Sequence, residues 1–187
     1  MTLEQWDRQS IEGEKLTFSV QKLLSGKKTW EGTLDGVDLG GSLTSATQTV
    51  QPRGLSGDLL GSDGGKSVTV LKPGDAIASP VDGVTLTGIG YVDGRLHVQV
   101  YYADIPKTDN HGSISLVNRE TGEQIECDGS AAFFDDAGTG SYEDYVFTGI
   151  EADALDTYAL YGMFVTSAGP VEGNWSVTFP LENTAGN

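Results

Sequence analysis

The chain has 187 residues, 37% of them hydrophobic, with 26 glycines, 6 prolines, one cysteine and a net charge of −16. That length suits one large β domain or two small ones, and the apolar share excludes a disordered chain. So negative a charge repels phosphate backbones and anionic headgroups, which argues against nucleic acids and membrane surfaces as partners.

Met1–Ser10 has room for one short helical turn, and beyond it no apolar stripe of helical period appears. Extended runs follow at Leu16–Leu23, Thr29–Leu34, Leu43–Val50, Gly54–Leu60 and Ser67–Leu71. In the first, Leu16, Phe18 and Val20 alternate with Thr17, Ser19 and Gln21, the period of a half-buried strand. Gly61–Gly65 reads as a hairpin loop. The segment Lys72–Pro80, with a Pro-Gly turn and a second proline, is the best boundary. Charge also switches there: residues 1–78 carry 10 acidic and 8 basic side chains, residues 79–187 carry 17 acidic and only Arg95, Lys107 and Arg119. Two modules are therefore expected, 1–78 and 79–187.

The second half offers runs at Val84–Gly90, Gly94–Asp104, Ser113–Asn118, Gln124–Cys127, Tyr145–Ile150, Tyr158–Thr166 and Asn174–Leu181. In Gly94–Asp104, Leu96, Val98, Val100 and Tyr102 share one face, and Arg95, His97, Gln99 and Tyr101 share the other, expected to be wet. Glu151–Thr157 reads as one helical turn. It leads into Tyr158, whose hydroxyl could bond back to the preceding corner. Trp175, Val177, Phe179 and Leu181 form a clean face expected to point inward, with Trp175 and Phe179 in the core. The whole is an all-β pattern, an immunoglobulin-like sandwich built as two small sandwich modules in tandem.

Residue types that do chemistry are sparse. Gly61–Ser67 (GSDGGKS) fails as a phosphate loop: Leu60 stands where a glycine is needed, and a strand follows instead of a helix. The acidic stretch Asp135–Asp144 reads as a solvated loop, or as oxygen ligands for calcium, although no register matches an EF-hand. His97 is expected at the surface, and His111 lies in a polar loop. Two histidines and one cysteine make a poor zinc set. Cys127, between Glu126 and Asp128, reads as inert. No catalytic, cofactor or metal residue is assigned. No run approaches the ~18 apolar residues of a membrane span, and the N-terminus lacks a secretory signal pattern.

Gly90–Val100 (GYVDGRLHVQV), Asp109–Gly112 (DNHG), Tyr142–Phe147 (YEDYVF), Tyr158–Gly162 (YALYG) and Glu172–Leu181 (EGNWSVTFPL) resemble, in order, a family of Gram-positive bacterial membrane proteins. The resemblance covers most of residues 84–182 and matches their extracytoplasmic β-sandwich region, a domain of unknown function linked to anti-sigma-factor-like regulators. It implies a short cytoplasmic segment and one membrane helix ahead of the ectodomain. Neither is in this sequence, so Met1 is expected to open a trimmed outer region.

The function expected is a non-enzymatic extracytoplasmic sensor or interaction domain whose partner is a protein or cell-envelope component. A carbohydrate-binding or adhesive module using Trp30, Tyr101 or Tyr142 is the alternative. A hydrolase using Asp135, Asp136 or Glu143 is a third reading.

Overall fold

Asp93 and Gly94 both take left-handed backbone, φ 50° and 75°. That is the geometry of the two-residue hairpin turn an Asp-Gly pair favours, and it folds the most strongly patterned segment of the chain back on itself. The computed structural model describes residues 15–57 and 67–180; the expectations for Met1–Ser10 and Gly61–Gly65 lie outside them. Its strands are β1 (Lys15–Ser25), β2 (Lys28–Thr33), β3 (Leu43–Thr44), β4 (Thr47–Val50), β5 (Gly54–Ser56), β6 (Val68–Leu71), β7 (Ala78–Val81), β8 (Val84–Val92), β9 (Arg95–Tyr102), β10 (His111–Asn118), β11 (Gln124–Glu126), β12 (Gly129–Phe134), β13 (Ser141–Phe147), β14 (Tyr158–Thr166) and β15 (Gly169–Pro180). A helical turn, α1 (Ile105–Thr108), follows β9, and a 3₁₀ turn, Ala152–Thr157, precedes β14. The fold is all-β, as the patterning implies.

Contacts divide the chain into a body, Leu24–Gly169, and a terminal unit made of the residues before and after it. In the body, one sheet runs β3-β8-β9-β13-β12-β5 with β7 beside β8, and a second runs β11-β10-β14-β2. Leu86, Ile89, Leu96, Val98, Val100, Tyr145 and Phe147 of the first sheet share a core with Ile114, Leu116, Leu160 and Phe164 of the second. This is a β-sandwich. Each fully buried Leu, Ile or Phe in it contributes about 2–3 kcal/mol. Strands from both sides of the expected boundary at residue 78 enter the same sheets: β2 pairs β14, β3 pairs β8 and β5 pairs β12.

β3 runs parallel to β8, with Thr44 opposite Gly90. A Cβ on Gly90 would run into the Thr44 carbonyl oxygen, so only glycine lets β3 approach. A hydrogen-bonded relay ties the two sheets together: the Tyr102 hydroxyl lies 2.8 Å from that of Tyr145, which donates to the Gly112 carbonyl at 2.9 Å. Burial holds both phenols above their ordinary range. The corner before β14 is fastened by a tyrosine, but it is Tyr91, whose hydroxyl donates to the Ile150 carbonyl at 2.9 Å.

The other face of the first sheet is also covered. β4 and β6 pair into a small ribbon, and Val70 of β6 packs with Ala131 and Phe133 of β12. This third layer lies on the face of β9 and β13 that the alternation leaves for water. His97 and Gln99 are consequently buried, 1% and 0% exposed, which corrects the expectation that His97 is a surface residue.

Candidate functional site

The residues with chemistry fall in four places. The first is under β6, where alternation along β9 and β13 sets His97, Gln99 and Asp144 on one face. His97 Nδ1 lies 2.8 Å from Asp144 Oδ1, and Asp144 Oδ2 accepts the Leu71 backbone N–H at 2.7 Å. Gln99 Nε2 donates to the Leu71 carbonyl at 2.7 Å and its Oε1 accepts the Thr87 hydroxyl at 3.0 Å. Side chains of the sheet thus satisfy both polar groups of the Leu71 peptide, as a neighbouring strand would. The His97–Asp144 pair has the geometry of the orienting half of a triad. Its other nitrogen, Nε2, is buried without a partner among the described residues. Asp144 and Gln99, both buried and both bonded to the Leu71 backbone that covers them, act as a clamp for the third layer, and His97 bonds the Asp144 carboxylate from the side. Asp144 had a sequence signal: it shares its face with Tyr142 and Val146, so a carboxylate there must go inside.

The second place is the segment around α1. Asp104 and Asp109 take left-handed backbone, φ 49° and 50°, at its two ends. Asn110 Nδ2 donates to the Ala103 carbonyl at 2.8 Å, pinning the turn. His111 is exposed and its Nδ1 lies 2.7 Å from the Asp109 carbonyl. An open cleft of about 240 Å³ there is lined by Ser25, Lys27, Thr108, His111 and Ser167, smaller than ordinary ligand pockets. Cys127 is half-buried, and burial, then the neighbouring Glu126, pushes its thiol up, away from reactivity.

The third is the acidic loop. Asp135 accepts backbone N–H groups of Thr139 and Gly140 at 3.0 Å each, and the Tyr101 hydroxyl at 3.0 Å. Burial alone would raise its carboxyl, but the bonds from Gly140, Tyr101 and Thr139 outweigh it and lower the pKa. The loop's first carboxylate is therefore spent on the loop itself. Glu143 accepts the Ser130 hydroxyl at 2.7 Å and shares its face of β13 with Tyr145 and Phe147, whereas Asp135 is joined to Tyr101 on the opposite face. The two carboxylates do not oppose each other across a cleft. Among the described residues, no three His, Cys, Asp or Glu side chains converge.

Tyr101, Tyr142 and Phe133 are brought together. Tyr142 lies 4.8 Å from Tyr101 and 5.2 Å from Phe133, centroid to centroid. Trp30 is on the other sheet, stacked at 5.6 Å on Phe164. The three expected sugar-stacking rings therefore do not form one platform, and each already has an aromatic neighbour.

The fourth place is the terminal unit, where β1 and β15 pair as a two-stranded ribbon. Thr17 Oγ1 lies 2.8 Å from Thr178 Oγ1, so these two threonines share a face. Alternation puts Ser19, Gln21, Leu23, Glu172, Asn174 and Ser176 with them. The opposite face holds Leu16, Phe18, Val20, Lys22, Val171, Trp175, Val177 and Phe179. Five of its apolar side chains are exposed: Phe18 52%, Val171 44%, Trp175 42%, Val177 57% and Phe179 41%. The Trp175 ring lies along the strand over Gly173, where a Cβ would come within 2.6 Å of it, so the indole is flat against the ribbon. The alternation anticipated in β1 and β15 is present, but Trp175 and Phe179 are not core residues. A two-stranded ribbon has no second layer of its own to bury an apolar face. Comparison with protein-family models, with curated proteins and with solved structures finds no match for this chain.

Proposed function

We propose that this chain is a non-enzymatic interaction domain on the outer side of a bacterial membrane, the ectodomain of a membrane-anchored regulator, which meets a protein partner through the apolar face of the β1–β15 ribbon. One observation carries the interaction reading: Phe18, Val171, Trp175, Val177 and Phe179 are exposed on one face, while the other face is mostly hydroxyls and amides, with Leu23 and Glu172 among them. Contiguous apolar surface of that kind marks a docking site in a protein that stays in solution. The membrane-anchored setting rests on the resemblance of the five motifs between Gly90 and Leu181.

Photo-crosslinking in cells of the encoding bacterium tests both parts. A crosslinker at Val177 is expected to give a discrete protein adduct, and one at Ser176, on the other face, none. Protease added to intact cells is expected to remove the domain. Absence of an adduct from a folded, correctly located Val177 variant would overturn the docking surface, and survival of the domain in intact cells would overturn its location.

A further inference from the structure

We infer that the partner of the ribbon is a second copy of this chain, the two apolar faces packing as a two-layer, four-stranded interface about a two-fold axis. The inference rests on the docking reading above and names its occupant. Self-complementarity comes first. The face is mainly apolar, with Lys22 at one end of its β1 row and the Trp175 indole N–H as its other polar group, and sheet faces of that kind pack on one another about 10 Å apart. An isologous two-fold contact needs only such a patch.

Area comes second. With aromatic side chains of 150–250 Å² each, the exposed fractions leave on the order of 500 Å² of apolar surface on one ribbon. Two faces together bury roughly 1,000 Å², about the lower limit of a specific interface, so the contact is sought over a wide concentration range. Charge comes third. The chain carries −16, yet residues 15–23 and 170–180 hold only Lys15, Lys22 and Glu172. The ribbon is thus a region where two copies can approach with few carboxylates facing each other.

Sedimentation velocity of the purified 187-residue chain, from about 1 to 200 μM, reads the equilibrium directly. A monomer–dimer equilibrium is expected, with Val177→Asp monomeric throughout, a weakening of at least ~30-fold, and Ser176→Asp still dimeric. As a variant that adds no charge, Val177→Ser is expected to weaken the dimer less than Val177→Asp, and Ser176→Ala to leave it unchanged. A wild-type chain that stays monomeric at 200 μM overturns the inference and leaves the docking reading to its own crosslinking test. Dimers that persist in Val177→Asp overturn it too, because another surface then makes them. So does dimerisation that begins only when residues 1–14 are removed, since the face would then be covered by its own chain. If the crosslinks in cells join Val177 to a different protein while the pure chain is monomeric, the docking reading stands and the second copy does not.

Discussion

Asp144 holds two groups, the Leu71 N–H and His97 Nδ1, one on each carboxylate oxygen. Replacing it by alanine strands both, and a buried unsatisfied donor costs about 1–3 kcal/mol. Asp144→Ala is therefore expected to lose ~3–5 kcal/mol in urea unfolding. Asp144→Asn is expected to lose about half that, because the amide oxygen still takes Leu71 and the imidazole can change tautomer to accept from the amide nitrogen. A loss below ~1 kcal/mol for the alanine variant would mean that water replaces the carboxylate and that the clamp is dispensable. The tyrosine relay is asymmetric in the same way. Tyr102→Phe leaves the Tyr145–Gly112 bond intact and should cost ~1 kcal/mol. Tyr145→Phe orphans the Gly112 carbonyl and the Tyr102 hydroxyl together and should cost ~2–3 kcal/mol. Equal losses would show that the hydroxyls do not act in series. His97, Asn110, Gly112, Asp144 and Tyr145 are hydrogen-bonding positions of this chain, and they speak to how the sandwich closes.

Elements were legible where local chemistry decided them. Asp93-Gly94 sets the β8–β9 turn, and the continuous apolar run Tyr158–Thr166 is β14, a strand with neighbours on both sides. β12 and β7 were not legible. Gly129-Ser-Ala-Ala has little strand propensity, and Pro80 interrupts β7; both form because long neighbours, β13 and β8, offer them a ladder. Alternation on β9 was correct, but polarity reports hydrogen bonding as well as exposure, so the β4–β6 layer over His97 could not be read from it. The loop after β12 is latched to β9 through the Tyr101–Asp135 bond. Burial first, then that bond, raises the Tyr101 phenol from 10.0 to about 12. A pKa raised by folding stabilises the protein fully below the unfolded value and loses that stability as pH rises through the folded one. The melting temperature is expected to fall from pH ~10 to ~12, more shallowly in Tyr101→Phe, with Tyr102 and Tyr145 maintaining the remainder of the fall because they shift in the same direction. An unchanged slope in Tyr101→Phe would mean that the latch does not contribute.

At the scale of the molecule, charge asymmetry along the chain marked a boundary that the strand pairing does not follow. β2, β3 and β5 cross it because a sheet edge is completed by whichever strand fits, wherever it lies in sequence. The asymmetry has its consequence in association. The body, Leu24–Gly169, carries −13 of the −16 charge, while the described part of the ribbon has two lysines and one glutamate. Two copies joined through their ribbons bring like-charged bodies into one particle, so each body's field opposes association from outside the interface. Salt screens such exposed charges, the Debye length falling to ~10 Å at 0.1 M and ~30 Å at 0.01 M. Raising sodium chloride from about 0.01 to 0.3 M should therefore tighten the dimer several-fold in sedimentation equilibrium. A basic partner attracted to the acidic body would weaken over the same range. If the self-association weakens with salt, Lys15 and Lys22 of one copy are meeting carboxylates of the other, and the face-to-face arrangement of ribbons is wrong.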